Sequence, residues 1–149
     1  MLIKEICMGN VVVCGPETSA VQAASLMRHR HVGDVVVVDN PREEGLPLGV
    51  VTDRDLVVEV LGNGLDPAKT TVGSLMRTPV VIARESEDTA TVIERMRAHG
   101  VRRVPVVAGE GEVVGIVTLN DLLKAVIAEA STLLEVMTKG QLNELHSRR

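Results

Sequence analysis

The stretch GVVTDRDL at residues 49–56 is followed 66 residues later by GIVTLNDL at residues 115–122. Each reads glycine, two branched aliphatics, threonine, two variable positions, aspartate and leucine. A β-branched run closing on threonine, with an acid three residues on, marks a strand that turns directly into a helix. The threonine hydroxyl accepts from the backbone N–H three residues ahead, and the acid sits in the positive first turn. One helix start explains one copy. Two copies at a fixed distance point to an internal repeat.

The repeat reaches well beyond these words. NVVVCGPETSAVQAASLMRHRHVGDVVVVDN from residue 10 lies over PVVIARESEDTATVIERMRAHGVRRVPVVAG from residue 79 without a gap, an offset of 69. The offset falls to 66 at Thr52 and Thr118, which places three extra residues of the first copy in PREEGLP, residues 41–47, read as a longer hairpin loop. In each copy a short β-branched run (11–13; 80–82) precedes polar cap residues and a helical pattern carrying Val21, Ala24 and Met27, or Val92, Ile93 and Met96. Two β-rich runs joined by a turn follow (35–38 with 48–51; 104–107 with 113–117), then a second helix from near Asp53 or Leu119. Pro105 within its run favours a strand end or an edge.

Each copy is thus β-α-β-β-α, and the fold class is α/β (α+β). Neither copy of about 60 residues buries much alone, so the two should pack about a pseudo-two-fold axis. The expected division is repeat 1 at 3–62, a linker at 63–75, repeat 2 at 76–128 and a helical tail at 129–149. In that tail Leu133, Leu134 and Met137, then Leu142 and Leu145 after a break at Gly140, predict one or two amphipathic turns that cap the fold or meet a partner subunit.

Composition removes several function classes. Phe, Tyr and Trp are absent and 27 residues are valine, so the core is aliphatic and no aromatic platform exists for stacking bases. A net charge of −4 gives no general attraction for nucleic acid. No apolar run has the length of a membrane span, and MLIKEICMGN lacks a signal-peptide layout, so a cytoplasmic protein is expected. Cys7 and Cys14, at a spacing that fits neither a zinc ribbon nor a redox pair, are expected to be reduced and buried. RHRH at residues 28–31 and His99 read as solvated helix ends rather than metal ligands. There is no Gly-x4-Gly-Lys-Ser/Thr, Gly-x-Ser-x-Gly or His-Glu-x-x-His, and no enzyme is expected.

With the copies aligned, residues 3–128 resemble a tandem pair of cystathionine-β-synthase (CBS) domains, a Bateman module. GVVTDRD and GIVTLND match that family's Gly-h-x-Thr/Ser-x-x-Asp/Asn ending, and HGVRRVPVV at 99–107 matches its approach to the second hairpin. TDRDLVVEVLGNGLDP at 52–67 is similar to small stand-alone bacterial and archaeal CBS-pair proteins. The resemblance implies a regulatory module that binds AMP, ADP, ATP, NAD(H) or S-adenosylmethionine between its repeats, with no obligatory cofactor, as a homodimer signalling to an effector protein.

By the same resemblance, Thr52 and Asp55 serve one site and Thr118 and Asp121 the other. Adenine contacts map to Asn10, Val11 and Val12, to Thr78, Pro79 and Val80, and to Val35, Val36, Val104 and Pro105. Arg102 and Arg103 match a phosphate-contacting position that the first copy fills with Gly33 and Asp34; Arg54 stands two residues after Thr52 where the second copy has Asn120. Chemically, an aspartate offers about four acceptor positions, enough for a ribose diol, and arginine forks suit phosphate. Thr-x-x-Asp is equally a plain helix cap, and the valines are equally plain core. A ligand-independent interaction module, and more remotely a thiol redox sensor, therefore stand beside the nucleotide sensor.

Overall fold

The three-dimensional structure, a computed structural model, describes residues 1–7, 9–43 and 45–148. A 3₁₀ turn (Ile3–Glu5) opens the chain. The first repeat then runs β1 (Val13–Cys14), α1 (Ala20–Arg30), β2 (Asp34–Val38), β3 (Pro47–Thr52) and α2 (Asp53–Asp55), which continues in a wide π-helical turn (Leu56–Leu61). After α3 (Val72–Leu75) the second repeat runs β4 (Ala83–Arg84), α4 (Thr89–His99), β5 (Arg103–Val107), β6 (Val113–Thr118) and α5 (Leu119–Ser147). Each repeat forms a three-stranded sheet with its middle strand parallel to the first and antiparallel to the third.

The sequence signals behave as local physics requires. Ser19 and Gln22 exchange cap hydrogen bonds at the start of α1, and Asp88 Oδ1 accepts from the Ala90 N–H at the start of α4. The helices end at His31 (φ 53°) and Gly100 (φ 64°), equivalent left-handed positions. Both hairpins carry an irregularity at one place, between Val37 and Val38 and between Val106 and Val107. The longer first loop meets the second, with the Val113 N–H donating to Gly45 O; Glu44 of the PREEGLP insertion lies outside the described residues.

Pro105 is an exception to its expected place: it sits within β5, the middle strand. In the first repeat Val36 N–H donates to Val12 O (2.9 Å), and the parallel pairing starts at Val13 and Val36. Pro105, at the position of Val36, has no N–H. The pairing starts one step later, at Ala83 and Val106. A middle strand tolerates proline here because its parallel neighbour is only two residues long. The first strands accordingly lie later than expected, leaving 10–12 and 79–82 as approaches outside the regular strands.

The repeats are joined by exchange. Ile3 packs into the second repeat's core with Ala83, Val92, Val104 and Val117, whereas Val72 packs into the first repeat's core with Ala23, Val35 and Val51. The backbone bonds match pairwise: Ile3 N–H to Glu87 O and Val72 N–H to Thr18 O; Lys4 N–H to Glu85 O and Gly73 N–H to Pro16 O. Val72 and Leu75, at the end of the stretch expected as linker, thus belong to this packing, with Met76 just beyond it. Between the sheets Val36, Val38, Val107, Val113 and Ile116 form a third cluster.

The tail differs from expectation. It continues α5 without interruption through Gly140, whose roughly 1 kcal/mol propensity penalty is too small to end a 29-residue helix. It does not cap the fold: Leu122 is buried, but Leu133, Leu134, Met137, Leu142 and Leu145 are all more than half exposed.

One ion pair lies at the turn that receives Ile3. Arg95 Nη2 and Nη1 donate to the two carboxylate oxygens of Glu87 (2.5 and 2.8 Å), and Nη1 also donates to Ile82 O (2.7 Å). Hydrogen bonding from Arg95 lowers the Glu87 carboxyl from 4.5 to about 2. A depressed carboxyl contributes stability above its unfolded value and loses it as pH falls through the folded one. Urea titrations are therefore expected to show wild type more stable than Glu87→Gln above about pH 4.5, with the difference vanishing as pH approaches about 2.

Candidate functional site

Each hairpin delivers its threonine to a common place. Asp34 pairs with Thr52 and Arg103 with Thr118, and the chain then leaves the sheet with Asp53 N–H donating to Gly33 O (2.9 Å) and Leu119 N–H donating to Arg102 O (2.7 Å). Both Thr-x-x-Asp turns are complete capping boxes. Asp55 N–H donates to Thr52 Oγ1 (3.1 Å) and Thr52 N–H to Asp55 Oδ2 (2.8 Å). Asp121 N–H donates to Thr118 Oγ1 (3.2 Å), and Thr118 N–H and Oγ1–H both donate to Asp121 Oδ2 (2.9 and 2.8 Å). The cap uses one carboxylate oxygen. Among the described residues nothing donates to Oδ1 of either aspartate, so capping and ligand binding do not compete for the same atom.

A cavity of about 290 Å³ opens beside the first of these turns. Val50, Thr52, Asp53, Arg54 and Asp55 line it from the first repeat; Arg77, Pro79, Val80, Val81, Gly100, Val101, Arg102 and Arg103 line it from the second. Its size is at the low end of the ~300–1,000 Å³ usual for small-molecule sites. The wall is aliphatic on one side and carries four arginines against two aspartates. Val81 lines it at the position where, in the first repeat, Val12 O accepts from Val36; Pro105 makes no such demand on the Val81 carbonyl.

Of the residues expected at a site, the cavity gathers Thr52, Arg54, Asp55, Pro79, Val80, Arg102 and Arg103. Thr78 and Pro105 are not among its lining residues. Val35 and Val104 are buried in the cores of their own repeats, facing away from the partner sheet, so their expected side-chain contact with a ligand is corrected. Thr118, Asn120 and Asp121, with Asn10, Val11 and Val12, stand at the equivalent positions by the repeat offsets and are not among the cavity's lining residues. Arg77, Val81 and Gly100 were not anticipated. Arg77 had one legible signal, a basic residue two positions before Pro79.

At the pseudo-dyad Arg103 Nη1 donates to Asp34 Oδ2 (2.5 Å). The two residues are 69 apart, the repeat offset itself, so equivalent positions of the two copies meet with opposite charge. The thiols lie elsewhere. Cys14 belongs to the first repeat's core and Cys7 packs against the second's. Burial pushes both thiols up, the reverse of what a reactive thiolate needs. His29 and His99 bond carbonyls one turn back, at Ser25 O and Arg95 O, as helix-end groups. Among the described residues no three His, Cys, Asp or Glu side chains group as metal ligands, and no helix is long and apolar enough to cross a membrane.

Two crossed β-α-β-β-α repeats with a cleft between them define a tandem-repeat module. The chain matches the CBS domain over residues 3–62 and 72–128, and it belongs to that family. It is 33% identical over 93% of its length to an uncharacterized protein of Methanopyrus kandleri, covering 69% of that protein. It is 33% identical to Hypoxic response protein 1 of Mycobacterium tuberculosis, covering 81% of this chain and 82% of that one. Among solved structures, the CBS domain pair of protein MJ0100, in complex with 5′-methylthioadenosine and S-adenosyl-L-methionine, superposes with a TM-score of 0.74 at 26% identity, over 87% of this chain and 98% of that one.

The Asp34–Arg103 pair is open to direct measurement. A double-mutant cycle of Asp34→Ala and Arg103→Ala, read by urea denaturation, is expected to give a coupling of about 0.5–1 kcal/mol that shrinks with added salt. The modest size follows from a side chain of Arg103 that is 33% exposed.

Proposed function

We propose that the chain is a regulatory CBS pair that binds an adenosine-containing ligand between its repeats and reports occupancy to another protein. The observation that carries this reading is the cavity bridging the two repeats, where an aspartate with one free carboxylate oxygen stands beside four arginines and an aliphatic wall. Asp55 Oδ1 suits the ribose hydroxyls, Val80 and Val81 the faces and edge of the purine, and Arg54, Arg102 and Arg103 a phosphate. The adenosyl ligands of the MJ0100 pair support the same class. A ligand touching both repeats favours one relative setting of them, by no more than its difference in affinity for the alternatives. The exposed leucines of α5 supply the surface for a second copy or an effector. The role is regulatory rather than catalytic.

The second reading is an interaction module without ligand. It is favoured by the completeness of both capping boxes as they stand. Thermal or urea denaturation with AMP, ATP, NADH and S-adenosylmethionine separates the two. A ligand at 100 times its Kd should add about 2.7 kcal/mol, and an Asp55→Ala/Asp121→Ala double variant should lose that gain. Absence of a gain with every adenosyl ligand decides for the interaction module.

A further inference from the structure

Helix α5 runs for 29 residues, yet Leu122 is its one buried side chain among the described residues. Beyond Leu122 the apolar residues recur at a seven-residue period: Leu123, Ala130 and Met137 in one row, Val126 and Leu133 in a second, Ile127 and Leu134 in a third. Steps of three, four and seven share one helix face. The rows therefore form a single stripe, and no charged residue interrupts it. Its six large side chains are each between 49% and 67% exposed. The pattern ends at Met137, because the rows continue into Gly140, Gln141 and Glu144.

The stripe offers about 700 Å² of apolar surface, more than a monomer usually exposes in one patch. Two such stripes face to face bury about 1,400 Å², within the range of stable protein interfaces. A seven-residue period is the one at which two helices keep a common seam by supercoiling. Ala130, at the middle of the stripe, lets the two backbones approach closely there.

The flanks identify the partner as a second copy. Lys124 and Glu129 border the stripe on opposite sides, five residues apart, and among the described residues neither makes an ion pair within the chain. In a parallel pair with a two-fold axis along the helices, the Lys124 edge of each copy lies against the Glu129 edge of the other. Two oppositely charged pairs then form at once. An antiparallel pair brings like edges together, with Glu129 close to its own counterpart. Leu122, one heptad before Glu129, shares its edge and is fixed in the second repeat's core. A parallel pair thus sets the two folded bodies on opposite sides of the seam, whereas an antiparallel pair sets them on the same side.

We propose that α5 is a self-association helix: residues 123–137 of two copies pair in parallel, Ala130 against Ala130, with Lys124 of each facing Glu129 of the other. This pairing needs no ligand in the cleft and is independent of the adenosyl reading.

Sedimentation equilibrium of the full chain tests the pairing, with urea transitions to show that each variant is folded. Wild type is expected to associate in pairs at tens of micromolar. Leu134→Glu, at a position exposed in the single chain, should weaken the association by about a hundredfold or more, since each pair then buries two carboxylates. Lys124→Glu should weaken it about fivefold, and Lys124→Glu/Glu129→Lys should restore it. In a Cys7→Ser background, oxidation should link Leu123→Cys to its own copy. A wild-type monomer at that concentration leaves the stripe to another protein and overturns the pairing, as does an association that Leu134→Glu leaves unchanged. A disulfide that forms only when Leu123→Cys is mixed with Met137→Cys overturns the parallel register.

Discussion

The exchange of Ile3 and Val72 between the repeats is the contact on which the rest of the molecule depends. Each side chain is wholly buried, and each is buried in the other half's core. A fully buried aliphatic of this size contributes about 1.5–3 kcal/mol, a large share of the few kcal/mol a half of about 60 residues can muster. Neither half can keep its core complete without the turn that the other supplies. The valine and isoleucine cluster between the sheets adds a third apolar contact between the halves.

That constraint determines where a ligand can act. The cavity takes its threonine and aspartate from one repeat and its proline, valines and arginine pair from the other. Neither half owns a site. A molecule in the cleft touches the joint between two bodies that are already bound together by exchange, so it can alter their relative setting without having to assemble them. The Asp34–Arg103 pair lies in the same joint and links the cleft lining to the dyad.

Much of this was legible before any coordinates. The repeat, its offset, the three-residue hairpin insertion and both Thr-x-x-Asp turns follow from spacing alone, because caps and β-branched runs are local signals. Side-chain direction was not legible in VVVV at residues 35–38. A strand covered on both faces shows no alternation of apolar and polar residues, so nothing in the sequence says that Val35 faces its own helix while Val36 faces the other sheet. Pro105 misled in a related way: the usual exclusion of proline from middle strands assumes a full-length neighbour, and β4 has two residues. Gly140 suggested a break, but a local propensity of this size yields to a long helix. The swap of the leading turns left no sequence mark, since Ile3 and Val72 are ordinary apolar residues whose destinations are set by tertiary packing.

The core contains no aromatic ring; valine, isoleucine, leucine, methionine and alanine fill it, with Cys14. A protein built this way is nearly transparent in the near ultraviolet and has no intrinsic fluorescence of its own. An adenine ring absorbs strongly in that window. Any band there in the purified chain, and any change in it on titration, comes from an added or accompanying molecule rather than from the protein.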